Sequence, residues 1–198
     1  RLPIILAPMG SLDALDPGGA MSVAKAAEEF GAISYLSSVT QPGIEEIAAD
    51  TNHDKVFQLY VRGDRDWIAD ITKKAIDLGY IHFCLTVDVA LYSRRERDLI
   101  KRYAPSGRTR NNNGWEYQAA LNWDLVKWFK DTWDIPLILK GIATAEDAAR
   151  SVEHGVEVVY VSNHGGRQLD HGRGTIDMLP EIVHEVDGRA EIVVDGGF

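Results

Sequence analysis

Cysteine is nearly absent from this sequence: one residue, Cys84, lies inside the apolar run IHFCLTV. A single thiol cannot build a disulfide framework. Its setting reads as a small buried hydrophobe in a chain kept in a reducing compartment. No apolar stretch reaches the roughly 18 to 20 residues that a membrane-spanning helix needs, and the N-terminus lacks the pattern of a signal peptide. A cytoplasmic protein with no membrane span is the expectation. Positive charge is also scarce. Against 30 Asp and Glu stand 21 Lys and Arg, a net charge of −9, which argues against general affinity for nucleic acid or anionic membranes. An anion must therefore be held by a local site. No metal site is expected. What remains is an ordinary soluble composition, 45% hydrophobic and 26% charged over 198 residues, long enough for one sizeable core and, by default, one domain.

Short β-branched runs alternate with longer stretches of helical periodicity. The runs are LPIILA, ISYLSS, VFQLYV, IHFCLTVD, PLILKG, VVYVSNHG and EIVVDGG. Each is almost continuously apolar, as strands of a parallel sheet buried on both faces are. Between them, GGAMSVAKAAEEFG, PGIEEIAAD, DRDWIADITKKAIDLG, NWDLVKWFKDTW, TAEDAARSVEHG and TIDMLPEIVHEVDG carry apolar residues three and four apart. Several open on Asp, Asn or Thr and close on Gly, the signals of N-caps and C-caps. The segment RERDLIKRYAPSGRTRNNNGWEYQAAL breaks the rhythm between the fourth and fifth runs and reads as a long loop over the strand ends. Repeated βα units admit a (β/α)8 barrel or a doubly wound sheet. Polar residues stand at the C-terminal ends of many different runs, and the first turn, APMGSLDALDPGG, is not GxGxxG. Both features favour a TIM (β/α)8-type barrel with about seven of its eight units.

The strand-end residues suggest chemistry. Lys140 closes PLILKG, where an ammonium needs an anionic partner; it could form a Schiff base, contact phosphate or stabilise negative charge on a cofactor, or simply snorkel. Asp88 and His164 end different runs and could pair, the carboxylate fixing the imidazole tautomer. Arg167 follows His164 behind two glycines, and Arg95 lies in SRRERD. Two guanidinium forks suit a carboxylate. A solvated charge run is the plain alternative for Arg94, Arg95 and Arg97.

With these residues in view, SNHGGRQLD at 162–170 resembles the signature of the FMN-dependent α-hydroxy acid oxidase and dehydrogenase family. APMG, LSS, FQLYV, LTVD, RRE, LKGI and VDGG follow in the family's order, so the resemblance covers essentially the whole chain. It implies an FMN enzyme that oxidises an L-2-hydroxy acid, lactate- or glycolate-like, to the 2-oxo acid. His164 would be the base, Asp88 its partner, Arg167 and Arg95 the carboxylate clamp, and Tyr60 a substrate contact. Lys140 would lie near flavin N1. Met9, Gly10, Ser37, Gln58 and Thr86 would contact the flavin, and Asp195 with Gly197 would begin its phosphate end. Val39 and Tyr92 match positions that shape the side-chain pocket. Gly10 resembles a monooxygenase branch, but the short loop after Arg102 does not.

The resemblance also implies electron transfer to oxygen, a quinone or a protein, and a homo-oligomer, often a tetramer. Relative to the family, the chain begins at the first barrel strand and stops at Phe198, before a phosphate-contacting arginine and the eighth strand. Residues 1–198 would then be a single FMN-binding barrel domain, incomplete at its C-terminus. Two alternatives follow: a truncated, non-catalytic fragment with impaired FMN binding, or another FMN barrel, such as an isomerase relative.

Overall fold

Seven strands and eight α-helices occupy the described residues, 3–90, 93–103 and 114–197, of a computed structural model. The chain divides into two compact units, residues 1–83 with 96–114 and residues 84–95 with 115–198. All seven apolar runs form strands. Sheet order equals chain order from the first strand to the seventh, the order of a (β/α)8-type barrel and not of a doubly wound sheet, in which order reverses at a switch point.

In the first unit, β1 (Ile5–Leu6), β2 (Ile33–Ser37) and β3 (Lys55–Leu59) pair in parallel, with Leu36 opposite Phe57 and Ser37 opposite Gln58. Every residue of β3 is buried, as the absence of period-two alternation in its sequence requires. Helix α1 (Ala20–Phe30) buries Ala20, Ala24 and Ala27, four and three apart on one face. Helix α2 (Ile44–Asp50) starts at Gly43, whose N–H donates to Glu46 Oε2 at 2.6 Å. Glycine has no side chain to complete the reciprocal contact, so only half a capping box exists. Helix α3 (Arg65–Asp77) is capped by Asp64, whose carboxylate accepts from Trp67 N at 3.0 Å.

Strand β4 (His82–Thr86) runs through the division between the units. The segment at 95–121, expected as one long loop, instead carries two short helices, α4 (Glu96–Ile100) and α5 (Trp115–Ala119). A single turn or so of helix leaves too little periodicity to stand out among Arg, Asn and Gly. Helix α5 is anchored by Gln118, which is buried and donates from Nε2 to Thr86 O at 2.7 Å.

In the second unit, β5 (Leu137–Ile142), β6 (Val158–Val161) and β7 (Glu191–Val194) are parallel, and Lys140, Tyr160 and Val193 lie side by side. Helices α6 (Trp123–Thr132), α7 (Ala145–Glu153) and α8 (Thr175–Val186) complete it. Asn122 and Thr144 cap α6 and α7 by accepting from Leu125 N and Asp147 N. Phe129, Leu137, Val159 and Ile182 have no exposed surface, and burying side chains of this size contributes about 1.5 to 3 kcal/mol each. Among the described residues, no helix is long and apolar enough to cross a membrane, and no group of three His, Cys, Asp or Glu is placed to hold a metal.

Candidate active site

A bulge in β5 builds the first part of the site. Register shifts between Lys140 and Ile142, and Gly141 between them has φ +113°. A Cβ on Gly141 would lie 2.5 Å from Asp88 Cβ and 2.6 Å from its Cγ, so only glycine lets the segment after β4 approach this closely. Val87 N donates to Lys140 O at 2.8 Å and fixes that approach. Asp88 is thereby brought to His164, with Nδ1 to Oδ1 at 2.9 Å. Two residues 76 positions apart meet as their strand-end positions suggest. The carboxylate accepts from Nδ1–H and favours the tautomer whose basic nitrogen is Nε2.

His164 opens a 3-10 turn, His164–Gly166, directly beyond β6. Its φ is +58°, followed by +68° at Gly165 and +67° at Gly166. Three consecutive left-handed residues make the tight loop that the two glycines promise, at a local backbone cost for the histidine. Gly166 N donates to Asn163 O at 3.0 Å and lies 3.2 Å from Asn163 Oδ1. Arg167 closes the turn with an exposed side chain. Arg95 is half-buried between β4 and α4.

Lys140 is almost fully buried, as an anionic partner in the site demands. Its Nζ donates to Ser162 Oγ at 2.7 Å, lies 3.1 Å from Asp195 Oδ2 and stands 4.9 Å above the centre of the Tyr160 ring. Tyr160 in turn donates its hydroxyl to Asp195 Oδ2 at 3.0 Å. Charge, hydrogen bond and ring face together offset the cost of burying the ammonium. A Schiff-base role would need an unpaired amine, so this ion-paired setting favours a fixed positive charge. Asp195 follows β7 and its N donates to Val161 O at 3.1 Å. Gly196, at φ +105°, passes so close to Asn163 Oδ1 that a Cβ would lie 2.5 Å from it. Gly197 is at φ +84° with open space around it.

In the first unit, Ser38 N donates to Gln58 O at 2.8 Å and Tyr60 N to Ser38 Oγ at 3.0 Å, tying the end of β3 to the turn after β2. Ser37 and Gln58 are buried; Met9 and Val39 are largely exposed. Gly10 sits against that turn, where a Cβ would come within 2.9 Å of Val39 Cγ2, and Ser11 N donates to Val39 O at 3.0 Å. Thr86, in the second unit, is buried and uses its carbonyl to hold Gln118. Tyr92 falls outside the described residues. Burial pushes the Cys84 thiol well above its ordinary range, which keeps it an unreactive hydrophobe.

Three contributors escape sequence reasoning. Tyr160 looks like one more apolar strand residue, Gly141 like a strand-end glycine, and Gln118 lies in the segment expected as a loop. Only the bulge and the strand register give them their roles.

Residues 1–198 match the FMN-dependent dehydrogenase family throughout. The chain belongs to that family. It is 37% identical to a peroxisomal (S)-2-hydroxyacid oxidase of Arabidopsis thaliana, covering 98% of this chain and 59% of the relative. It is 34% identical to an L-lactate oxidase of Nostoc sp., covering 100% and 61%. A mandelate oxidase mutant solved with benzaldehyde superposes with a TM-score of 0.90 at 36% identity, covering 100% and 58%. A soluble mutant of the membrane-associated (S)-mandelate dehydrogenase of Pseudomonas putida also gives 0.90, at 32% identity, covering 99% and 60%. The chain thus spans about three-fifths of the length of these relatives.

FMN is the family's cofactor, and the second unit's polar cluster fits it. Asp195 Oδ1 is buried with no hydrogen-bond partner among the described residues, an acceptor suited to a sugar-alcohol hydroxyl. Ser162 and Asp195 occupy two of the three hydrogens of Lys140, and the third suits an electron-rich ring atom.

Proposed function

We propose that this chain carries the catalytic centre of an FMN-dependent oxidation of an L-2-hydroxy acid to the 2-oxo acid. The 2.9 Å contact between His164 Nδ1 and Asp88 Oδ1 carries the reading. His164 Nε2 takes a proton from the α-hydroxy acid, and Asp88 stabilises the imidazolium that results. In all, the substrate loses two protons and two electrons. FMN, when bound, supplies the two-electron acceptor. Arg167 and Arg95 hold the substrate carboxylate by paired, charge-assisted hydrogen bonds, and the Tyr60 hydroxyl contacts the reacting end. Lys140 presents a fixed positive charge to the flavin ring. Met9, Gly10, Ser37, Gln58 and Thr86 would supply further flavin contacts, and Asp195 with Gly197 would begin its phosphate end.

The substrate's class is that of the relatives' printed substrates, from lactate to the larger, aromatic mandelate. Oxygen, a quinone or an electron-transfer protein takes the electrons onward. The family match through 1–198 supports one domain for both units. Homo-oligomerisation, as a tetramer, and a cytoplasmic setting belong to the same proposal; some relatives bear peroxisomal names. His164→Gln tests the reading. Substrate reduction of bound FMN should fall by about 10² to 10⁴, the range of a general base, with FMN still retained; undiminished reduction would remove His164 as the base.

A further inference from the structure

We propose that Ser162 is a positioning residue whose one hydroxyl locks the Lys140 ammonium to the turn that carries His164. Ser162 is the first residue past β6 and has no exposed surface. Its Oγ accepts from Lys140 Nζ at 2.7 Å and from the backbone N–H of His164 at 3.1 Å. A hydroxyl oxygen has two acceptor lone pairs, so these two donors use both. The donors come from different elements: Lys140, in β5, is 22 residues before Ser162, and His164, in the turn beyond β6, is two residues after it.

The His164 N–H is held in a backbone that the residue adopts with φ +58°, outside any helix or ladder that would satisfy it. The oxygen of Ser162 is its acceptor, and the same oxygen helps to orient a buried charge. Removing it leaves a buried charged donor and a part-buried backbone donor each short of an acceptor. Lys140 would then keep only Asp195 and the face of the Tyr160 ring, and the His164 turn would lose the contact that holds its left-handed start. Serine is also the smallest residue that offers this oxygen, which suits a site with no exposed surface. The base and the fixed positive charge are thus set relative to one another by one buried hydroxyl.

The consequence for activity rests on the proposed roles of His164 and Lys140, but the coupling itself does not. The test therefore reads both. In the isotope-labelled chain without FMN, Lys140→Met should shift the His164 backbone amide resonance, and Ser162→Ala should shift it further upfield as its hydrogen bond is lost. With FMN bound, Ser162→Ala should lower kcat for 2-hydroxy acid oxidation by about tenfold or more while KM changes less than about twofold, and Ser162→Thr should recover part of the loss. An unmoved His164 amide in Lys140→Met overturns the proposal, and that arm stands even if Ser162→Ala fails to fold. So does a Ser162→Ala protein that melts lower but turns over like the parent. A shifted amide in a chain that oxidises no 2-hydroxy acid would uphold the coupling and overturn the reaction assigned above.

Discussion

Asp88 shows how much of the site hangs on single atoms. Its Oδ1 serves His164, while its Oδ2 is buried with no partner among the described residues, so the carboxylate's main compensation is the imidazole. Asp88→Asn keeps the shape but offers a neutral acceptor; kcat should drop by about 10² or more with KM little changed, as measured by anaerobic stopped-flow reduction. A drop confined to KM would contradict the assignment. Gly141→Ala should act on the same pair from outside it. The new Cβ would lie 2.5 Å from Asp88 Cβ, and the backbone would keep a φ that alanine tolerates poorly. Stability should fall by about 1 to 3 kcal/mol, with reduction of bound FMN impaired beyond what the lost folded fraction explains. Residue chemistry at the ends of runs was legible in the sequence: Asp88, Lys140, His164 and Asp195 could be named because a barrel's chemistry gathers there. The acceptor shared through Ser162 and the bulge at Gly141 were not, because both arise from register between distant strands.

At the scale of elements, the caps and strand bases carry separable stability. Asp64→Ala and Thr144→Ala each remove the side chain that accepts from the third residue of α3 and α7; each should cost about 1 kcal/mol, read from urea midpoints. At the N-terminal end of β3, Lys55 is buried and donates to Thr51 O and His53 O, while His53 Nε2 meets Ser34 Oγ at 2.8 Å. Burial first, and repulsion from Lys55 second, lower the His53 pKa from its ordinary value, against the opposing pull of Glu28 and Asp54. In the window between the lowered folded value and the unfolded value of about 6.5, the unfolded chain binds more protons. Stability therefore falls as pH drops through that window. His53→Gln should flatten the fall of the denaturation midpoint as pH drops below about 6.5; an unchanged slope would clear His53 of that role. The six helical stretches and seven strands were readable from period and capping residues alone. Helices α4 and α5 were not, since five residues give no periodic signal.

At the scale of the whole molecule, chain-order sheet topology and a family match along every residue agree on the barrel type. The central claim is that the strand-end residues of this chain hold FMN and oxidise a 2-hydroxy acid on it. The visible absorption spectrum of the purified chain, taken after FMN is added and free flavin removed, and again after anaerobic L-lactate or (S)-mandelate, tests this most directly. The flavin spectrum should be retained and should bleach with at least one of these acids, and in His164→Gln it should be retained but stay coloured. A colourless protein, or a bound flavin that neither acid reduces, would contradict the central claim.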